Sequence, residues 1–572
     1  MSMKVSVLLT ALLLFGVLWS NVRPEFASAS GSVLPSSLPP IDWTSYHNYT
    51  EITTILTALN ATYPEVVDVF VIGKSWQNRS IYCVRLTNES VAEPKPEVFF
   101  VGYHHAREPI TAELALYFVV YAATNFGSNA TVTDMLNQCE VYVVVALNVD
   151  GFDLYAANDW QRKNARSSDE DGDGRVDEDP PEDMDGDGFI EQLIDYSDPY
   201  NPVLLRWEGT DNDGDGQYGE DWIGGVDLNR NYNYSWNPGS SNPASEIYKG
   251  PAPFSEPETQ AICDFTRAHH FTYAVSFHSG TELILYPWGY THTAPPDEAL
   301  FVDVCSDLSA LTQDTVYEQS CSLYPSYGLW DDWMYGTAGV YALTCEIFMN
   351  QTFWTSEPGP YPNTYWEGGL KYNFNPFPQN IPESISRWMP VFFYLANRTI
   401  TEATPYHDVC VTEVETDKTV VGESYVVHVN VSVKNKGFYA ENLTLAVRAN
   451  DVEIHIQALT VSVGEDVEVA FAWNNSGLAK DRYTLRASVA TVPGETRTFD
   501  NTYVDDVVTV SIVGDVDGDF DVDISDVVKI TAIYGLKRDD PRYSPDSDIN
   551  GDGAITILDV VKCTAHYGQE YP

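Results

Sequence analysis

The sequence predicts an α/β fold, a mixed β-sheet flanked by helices, followed by an all-β immunoglobulin-like sandwich and a small module of two paired loop–helix units. Three observations predict it. Apolar runs typical of strands alternate with helical patterns over residues 41–404, alternating apolar and polar residues fill 405–513, and residues 514–535 are echoed by 547–568. Strand–helix alternation is typical of a sheet covered on both faces, and a period of two between turns is typical of a sandwich. At 572 residues the chain is too long for a single core.

Residues 1–29 have the features of a secretory signal peptide. A lysine precedes an apolar stretch of about 14 residues, and the small-residue sequence Ala-Ser-Ala follows. A membrane anchor needs roughly 20 apolar residues, so we expect no membrane span after the signal is removed. Eleven Asn-X-Ser/Thr sequons and a Ser/Pro linker at 30–40 fit a secreted, extracellular protein, and they leave open whether glycans are attached.

The charge is strongly negative and unevenly distributed. The chain carries 31 Lys+Arg and 83 Asp+Glu, a net charge of −52. Such a chain repels phosphate groups, which argues against nucleic acid as a partner. Segment 166–221 contains 20 acids and 3 bases, a net charge of −17.

The strongest chemical signal begins directly after a predicted strand, at His105 and Glu108. A histidine and a carboxylate three residues apart can reach one metal ion, but the pair is common by chance. Catalytic zinc typically takes two histidines and one glutamate in addition to water. His278 follows another predicted strand, where functional residues gather in such sheets. His278 therefore lies in the right place to supply a third ligand from a neighbouring strand.

Five segments in order resemble the zinc carboxypeptidases of the A/B type. They are HARE at 105–108, WQRKNAR at 160–166, VDLNRNYN at 226–233, SFHSGTELILYPWG at 276–289 and the run 323–348. The resemblance covers roughly residues 41–400. It implies that 41–404 is a zinc carboxypeptidase domain, a peptide hydrolase that removes the C-terminal residue of peptides and proteins with a free carboxylate.

The resemblance also implies catalytic roles for the matched residues. His105, Glu108 and His278 would bind one catalytic zinc ion. Glu346 would act as the base on the water that this zinc activates, and Arg162 would stabilise the oxyanion. Asn229 and Arg230 would bind the terminal carboxylate of the substrate, because a guanidinium binds a carboxylate bidentately.

Three further positions would contact the substrate. Tyr324 would cover the bound C-terminal residue, and Arg107 would contact the chain upstream of it. Asp331 lies where basic-specific members of the family carry an acid at the base of the side-chain pocket, so we expect a basic or mixed preference. Family members usually have Gly-Gly-Ser where this chain has Gly328-Leu329-Trp330, and Trp330 could narrow the pocket.

Segment 166–221 is an insertion relative to the family, and aspartates recur in it at alternate positions. Without cations so many neighbouring carboxylates would repel one another, so we expect several calcium ions to order the insertion as a rim of the cleft and to contribute to activity. A solvated, flexible acidic loop is the alternative. The expected ligands form three series: Asp169, Asp171, Asp173 and Asp177; Asp183, Asp185, Asp187 and Glu191; Asp211, Asp213, Asp215 and Glu220.

The duplicated tail, 514–572, has oxygen-bearing side chains at positions 1, 3, 5 and 12 of two loops, each followed by a helical pattern. This spacing is typical of calcium loops. The pair resembles a dockerin module, and dockerins bind cohesin domains, so the resemblance implies a cohesin-type partner. The expected ligands are Asp515, Asp517, Asp519 and Asp526, and then Asp548, Asn550, Asp552 and Asp559.

These features together predict a secreted zinc carboxypeptidase with a sandwich of adhesion type at 405–513 and a calcium-dependent tail. Two alternatives remain. A cell-wall peptide amidase of the same fold is disfavoured by Asn229 and Arg230, which suit a free α-carboxylate. A catalytically inactive binding or adhesion protein is disfavoured by Glu346 and Arg162, since binding alone needs neither a base nor an oxyanion donor.

Overall fold

The structure, a computed structural model, describes residues 38–571 except 92–93, 171, 213, 220 and 223. The predicted signal peptide, most of the linker, and the predicted calcium ligands Asp171, Asp213 and Glu220 lie outside the described residues. Among the described residues, no single helix is long and apolar enough to cross a membrane. The two helices Pro109–Asn125 and Ala130–Gln138, which meet at a sharp bend, reach that length and apolarity only when they are taken as one segment. The first helix of that pair is almost entirely buried in the protein.

The chain divides into two compact units, Met1–Ile262 with Phe271–Glu402, and Cys263–His270 with Ala403–Pro572. The strands up to Glu402 are β1 (Val67–Lys74), β2 (Ser80–Leu86), β3 (Glu97–Val101), β4 (Glu140–Val144), β5 (Gln192–Asp195), β6 (Val203–Trp207), β7 (Phe271–His278), β8 (Glu282–Tyr286), β9 (Tyr317–Gln319), β10 (Tyr341–Ile347), β11 (Thr355–Pro358) and β12 (Thr364–Gly368). The helices are α1 (Tyr49–Thr62), α2 (Pro109–Asn125), α3 (Ala130–Gln138), α4 (Gly151–Ala157), α5 (Pro257–Arg267), α6 (Glu298–Leu311), α7 (Ser320–Leu323), α8 (Trp330–Gly336), α9 (Leu370–Phe374) and α10 (Ile381–Glu402), with short 3₁₀ turns at Leu228–Arg230 and Pro378–Asn380.

The first unit is built on an eight-stranded mixed sheet with the order β1-β2-β4-β3-β7-β10-β8-β9. Its central strands β4, β3, β7 and β10 run parallel, and their residues are almost all buried. Near-continuous apolar runs are typical of parallel strands covered on both faces. The predicted mixed sheet with flanking helices is therefore confirmed.

An aromatic cluster joins the sheet to two helices. Phe392 of α10 stacks on Phe118 of α2 with ring centroids 4.0 Å apart, and it also lies 4.5 Å from Phe100 of β3 and 5.1 Å from Phe277 of β7. Successive side chains of a strand point to opposite faces. Because Phe277 faces this helical layer, its neighbour His278 faces the other side of the sheet.

The insertion contributes to a second sheet. Its strands β5 and β6 pair with each other, and β5 also pairs with β12 in an antiparallel sheet of order β11-β12-β5-β6. The middle of the acidic insertion is therefore held, through β5, by β12, a strand that follows the last strand of the main sheet along the chain.

The second unit contains an all-β region and the paired helices of the tail. Its strands are β13 (Val409–Thr416), β14 (Val420–Gly422), β15 (Val426–Asn435), β16 (Glu441–Ala449), β17 (Val452–Val461), β18 (Asp466–Asn474), β19 (Asp481–Val489) and β20 (Thr502–Ser511), followed by the helices α11 (Ile524–Ala532) and α12 (Ile557–Thr564). A three-stranded sheet, β13-β15-β18, and a five-stranded sheet, β14-β20-β19-β16-β17, share one apolar core. The all-β region is as expected, whereas its immunoglobulin-like assignment stays a prediction. All eight cysteines are described, and each carries a free thiol.

Candidate metal centre and cleft

The parallel strands bring the chemistry-bearing residues to one edge of the main sheet. His105 and Glu108 lie in the loop between β3 and α2, and His278 is the last residue of β7. Glu346, near the end of β10, is paired with His278 in the register of these two strands. Ligands that are far apart in the sequence are therefore neighbours at the carboxyl ends of adjacent strands.

Three buried donor atoms converge at this edge. His105 Nδ1 lies 2.8 Å from Glu108 Oε1, His278 Nδ1 lies 3.0 Å from Glu108 Oε2, and the two Nδ1 atoms are 3.1 Å apart. Ligands of a tetrahedral zinc ion, each about 2.0–2.1 Å from the metal, are separated by about 3.3 Å. Two imidazole nitrogens and a carboxylate at these separations fit zinc in both chemistry and spacing.

The protonation states of these residues suit metal binding. Burial lowers the pKa of His278 to about 4, so its imidazole is neutral and has a lone pair to offer. Burial tends to raise the pKa of Glu108, but the charges and hydrogen bonds of His105 and His278 hold it well below its usual range. The donor set is therefore one carboxylate with at least one neutral imidazole.

A buried aspartate that we did not predict holds two of the predicted residues. Asp227 Oδ1 lies 3.1 Å from His105 Nε2, and Asp227 Oδ2 accepts a 2.9 Å hydrogen bond from Arg162 Nε. Although burial opposes ionisation, Arg162, Arg230 and His105 hold the pKa of Asp227 well below its usual range. A carboxylate behind a metal-binding histidine fixes its tautomer and ring orientation. The only sequence signal was its place in VDLNRNYN, two residues before Asn229.

His278 is positioned on its other side by two neutral groups. Its Nε2 lies 3.0 Å from Ser276 Oγ and 3.3 Å from Asn229 Nδ2. Ser276 Oγ in turn lies 2.9 Å from Nδ1 of the fully buried His104. These contacts leave Nδ1 of His278 directed at the metal centre.

Glu346 differs from every other carboxylate at this edge because it makes no hydrogen bond to the described residues. Burial, followed by repulsion from Glu108, raises its pKa well above the usual range, while Arg162 and Arg230 act in the opposite direction. A carboxyl group with a raised pKa can both take and return a proton near neutral pH.

Two buried guanidinium groups lie near the same carboxylates. A terminal nitrogen of Arg162 lies 4.0 Å from Glu108 Oε1. Arg230 donates one hydrogen bond of 2.7 Å to the Asn229 carbonyl and one of 3.4 Å to the Tyr324 hydroxyl. The Tyr324 side chain is 49% exposed, so it covers Arg230 from the solvent side. The structure thus brings the predicted oxyanion and carboxylate groups together.

Asp331 is fully buried in the first turn of α8 and has one satisfied oxygen. Its Oδ2 accepts a 3.0 Å hydrogen bond from Ser320 Oγ, whereas no donor among the described residues reaches Oδ1. Burial raises the pKa of Asp331 to about 6, and the charge of Arg230 opposes this rise. Trp330, which we considered as a lining of the pocket, is completely buried with its ring 6.1 Å from that of His104.

Arg107 is bound to a glutamate that we did not predict. Its two terminal nitrogens each lie 3.2 Å from an oxygen of Glu246, and one also donates to the Trp160 carbonyl at 3.1 Å. Its guanidinium stacks 4.6 Å from the ring centroid of Phe374. The Glu246 side chain is 47% exposed, so its carboxylate rather than the guanidinium meets solvent here.

The predicted calcium loops share one backbone arrangement. In each described loop the first aspartate accepts hydrogen bonds from the amides three and five residues later, which folds the loop around its carboxylate. These first aspartates are Asp169, Asp183 and Asp211 in the insertion and Asp515 and Asp548 in the tail.

The second insertion loop gathers a different set of acids from the predicted one. Oxygens of Asp183, Asp185 and Glu208 all lie within 4.8 Å of one another. The predicted Glu191 is not in this group. Its carbonyl instead accepts a hydrogen bond from the Glu208 amide, and its side chain accepts one from Thr355.

This loop is anchored beside the cleft. The Ile190 amide donates to Asp159 at 3.1 Å, and the Trp160 indole donates to the Ile190 carbonyl at 2.8 Å. Trp160 lies two residues before Arg162, so the insertion is attached to the segment that carries the predicted oxyanion group.

In the tail, two groups of acids have oxygens within 4.8 Å of one another. The first comprises the predicted Asp515, Asp517 and Asp519. The second contains the predicted Asp526 together with Asp521 and Asp523, which we did not predict. In the second loop the Asn550 amide donates to Asp559, and the Asp552 amide donates to Asp548 and Asn550.

Comparison with known proteins gives matches to zinc carboxypeptidases. A protein-family model described as zinc carboxypeptidase matches residues 52–386. Carboxypeptidase B of Astacus astacus is 29% identical over 319 residues, which are 54% of this chain and 88% of that enzyme. Human mast cell carboxypeptidase A is 26% identical over 304 residues, 51% of this chain and 60% of that enzyme. The crystal structure of thrombin activatable fibrinolysis inhibitor is 22% identical, covers 66% of this chain and 79% of its own, and superposes with a TM-score of 0.49.

Proposed function

The chain belongs to the zinc carboxypeptidase family and is a metallocarboxypeptidase, and from this premise we propose that it removes single residues from the free carboxyl end of peptides and proteins outside the cell. The observation that carries the proposal is the register of β7 with β10, which sets the unbonded Glu346 beside His278. A metal site and a proton-accepting group thereby lie at one edge of the sheet, near two guanidinium groups.

Each residue has a task that follows from its contacts. His105, Glu108 and His278 would hold zinc, which would supply a Lewis acid for the scissile carbonyl and for a water molecule. Glu346 would accept the proton of the attacking water and give it to the leaving amine, for which a raised pKa is suited. Arg162, held by its hydrogen bond to Asp227, faces the developing oxyanion.

The substrate carboxylate is bound by Arg230. Its side chain is almost fully buried but lies beneath the half-exposed Tyr324, so a carboxylate can reach it when that ring moves. A guanidinium in a partly desolvated cleft binds a carboxylate with two parallel hydrogen bonds. Asn229 supports this arrangement through its contacts with His278 and with the Trp330 amide.

Asp331 gives the preference for basic or mixed C-terminal residues. The support for this role is its unpaired Oδ1, a buried acceptor that the ammonium of lysine or the guanidinium of arginine would satisfy. Replacing Asp331 with alanine should reduce cleavage of C-terminal arginine and lysine and spare leucine and phenylalanine. An equal loss on all four substrates would contradict the assignment.

The test of the main activity is mass spectrometry of peptides ending in Arg, Lys, Leu or Phe. The full chain, loaded with zinc and kept in excess calcium, should release single C-terminal residues, and a zinc-selective chelator should stop the release. Matched peptides with an amidated carboxyl end should resist. Cleavage of the amidated peptides alone would favour the cell-wall amidase alternative.

Calcium and partner binding are further parts of the proposal. We expect calcium to order the insertion and the tail; the support for this is the shared folding of five loops around a first aspartate and the converging acids of three groups in the insertion and the tail. Each tail helix also exposes apolar residues at matching positions of the duplication: Ile524 and Val528, then Ile557 and Val561. Calorimetry with an isolated cohesin domain, with and without calcium, tests the cohesin-type partner.

A further inference from the structure

An acid of the second sheet shares one face of that sheet with three aromatic side chains. Glu367 of β12 accepts a 2.9 Å hydrogen bond from the Tyr196 hydroxyl and a 3.1 Å hydrogen bond from the Trp354 indole. Tyr365 lies two residues before Glu367 in the same strand, so their side chains point to the same face. The ring of Tyr365 is 6.0 Å from that of Tyr196. These residues form what we call the aromatic site: Tyr196, Trp354, Tyr365 and Glu367.

The aromatic site is open to solvent and its charge has no partner. Trp354 is 42% exposed and Tyr365 is 40% exposed. Both hydrogen bonds to the Glu367 side chain end on Oε2, so Oε1 receives no donor from the part of the chain that the structure describes, and no lysine or arginine of that part forms an ion pair with this acid. The site therefore presents an unpaired carboxylate oxygen beside half-exposed rings.

Aromatic rings combined with a carboxylate favour an organic cation. A cation is attracted to the face of an aromatic ring, and an ionised carboxylate adds a charge-assisted hydrogen bond. The insertion that supplies Tyr196 carries 20 acids and 3 bases over 166–221, so its field attracts cations and repels anions. Calcium is a poor occupant because it needs many oxygen ligands, and only one carboxylate is present. A guanidinium, which both stacks on rings and pairs with carboxylates, fits the site well.

Short contacts connect the aromatic site to the metal centre. The ring of Trp354 packs edge-on against that of Trp160, with the centroids 6.1 Å apart. The Trp160 carbonyl accepts a 3.1 Å hydrogen bond from Arg107, which lies between the predicted zinc ligands His105 and Glu108 in the sequence. Arg107 is also the residue that we expect to contact the substrate upstream of its last residue. A substrate chain that leaves the metal centre past Arg107 and Trp160 therefore comes next to the aromatic site.

We propose that the aromatic site binds the side chain of an arginine or lysine that lies upstream of the cleaved bond in the substrate. This role is separate from that of Asp331, which concerns the C-terminal residue itself. An interaction far from the reacting atoms is the same before and during the reaction, so it lowers KM and leaves kcat unchanged. The effect on turnover rests on the proposed carboxypeptidase function, whereas binding of the cationic side chain does not.

The test uses peptides that end in leucine, with one arginine placed in turn at successive upstream positions. Each is paired with a peptide that carries citrulline, a neutral residue of the same shape, at that position. At the best position the zinc-loaded full chain should show a KM about fivefold lower for arginine than for citrulline. Glu367→Gln should abolish this difference, because glutamine keeps an acceptor for Tyr196 and Trp354 but has no charge. Glu357→Gln should retain it, since Glu357 pairs with Trp366 and so points to the opposite face of the sheet.

Tyr365→Leu provides a second route if Glu367→Gln does not fold, and it too should remove most of the preference for arginine. An equal loss of affinity for arginine and citrulline peptides in this variant would show that the ring makes only an apolar contact, and would overturn the proposal. So would equal KM values for the two peptides at every position in the wild type, or a preference that persists in Glu367→Gln.

Binding measured without cleavage separates this proposal from the proposed function. Fluorescence polarisation with the same peptides, labelled and amidated at the carboxyl end, should show tighter binding of the arginine peptide to the zinc-loaded full chain. If this preference appears and depends on Glu367 while the free-acid peptides are not cleaved, the aromatic site is supported and the carboxypeptidase function is contradicted. Cleavage with no such preference in either assay would have the opposite meaning.

Discussion

The metal centre and the acidic insertion both concentrate carboxylates, but they neutralise them in opposite ways. At the metal centre each ionised carboxylate has cationic or imidazole partners: Glu108 lies between two histidines, and Asp227 between His105 and Arg162. In the insertion, the first aspartates of the three loops, Asp169, Asp183 and Asp211, accept hydrogen bonds from amides of their own loops, and none of the three forms an ion pair with a described residue.

The difference concerns what each region needs in order to hold its shape. A site whose charges are already balanced by the protein is preorganised, so its function depends on placement rather than on folding around the ion. A region whose charges are balanced only by cations gains its stability when they bind. The predictions below test this contrast, beginning with the residue whose loss should matter most.

Glu346→Gln should lower kcat about 10³-fold, because the amide keeps the shape of the side chain but cannot take a proton. Zinc content, measured by elemental analysis, should stay equal to that of the wild type, since Glu346 is not among the three converging donors. A variant that retains more than a tenth of the turnover would remove Glu346 from the role of base.

Asp227→Asn should lower zinc affinity by about 10- to 100-fold, the effect typical of a carboxylate behind a metal-binding histidine. Competition with a chelator of known affinity measures it. The control variant should remove a contact of a metal-binding histidine without changing the charge of the site. Asn229→Asp would add a charge, whereas Ser276→Ala removes only a neutral contact of His278 and is therefore the better control. We expect Ser276→Ala to have a smaller effect, and equal losses would show that the charge of Asp227 is not what matters.

Calcium removal should affect the insertion far more than the metal centre. With zinc retained, limited proteolysis should cut within 166–221, and turnover should fall severalfold because the insertion is anchored on Asp159 and Trp160. Restoring calcium should reverse both effects. Loss of protection without loss of turnover would mean that the rim is ordered by calcium but does not support the cleft.

The sequence was sufficient for the mixed sheet and for residues that occupy strand ends. His105, His278 and Glu346 each follow or close an apolar run, and parallel strands necessarily bring such positions to one edge. The family resemblance then supplied their roles. This part of the site follows from periodicity together with an ordered set of motifs.

The supporting carboxylates could not be found in the same way. Arg107 and Glu246 are 139 residues apart, and no spacing rule connects them. The pairing of β5 with β6 sets Glu191 opposite Glu208, and this register brings Glu208 close to Asp183. The register contains a shift inside the short hairpin, which the sequence does not reveal. Tertiary pairing, rather than local pattern, selects these partners.

The smallest expected effect is a change of substrate preference with pH. It tests, at the single carboxyl group of Asp331, how a carboxylate behaves when the protein does not balance its charge. Asp331 has a buried oxygen to which no described residue donates a hydrogen bond, and burial raises its pKa to about 6. As the pH falls below 6 it becomes protonated and loses its attraction for a cationic side chain. The ratio of kcat/KM for C-terminal arginine over leucine should therefore fall severalfold between pH 7.5 and pH 5.

The neighbouring Asp332 provides the matched control for this last prediction. Burial and then repulsion from Asp331 raise its pKa well above the usual range, so it is already protonated where Asp331 titrates. Asp332→Asn should keep the pH response, because the amide imitates the protonated acid and preserves the acceptor for the Gly289 amide. Asp331→Asn should give a low ratio at every pH. If the wild-type ratio is flat across this range, the basic preference arises elsewhere, and the acidic rim of the insertion becomes the region to examine.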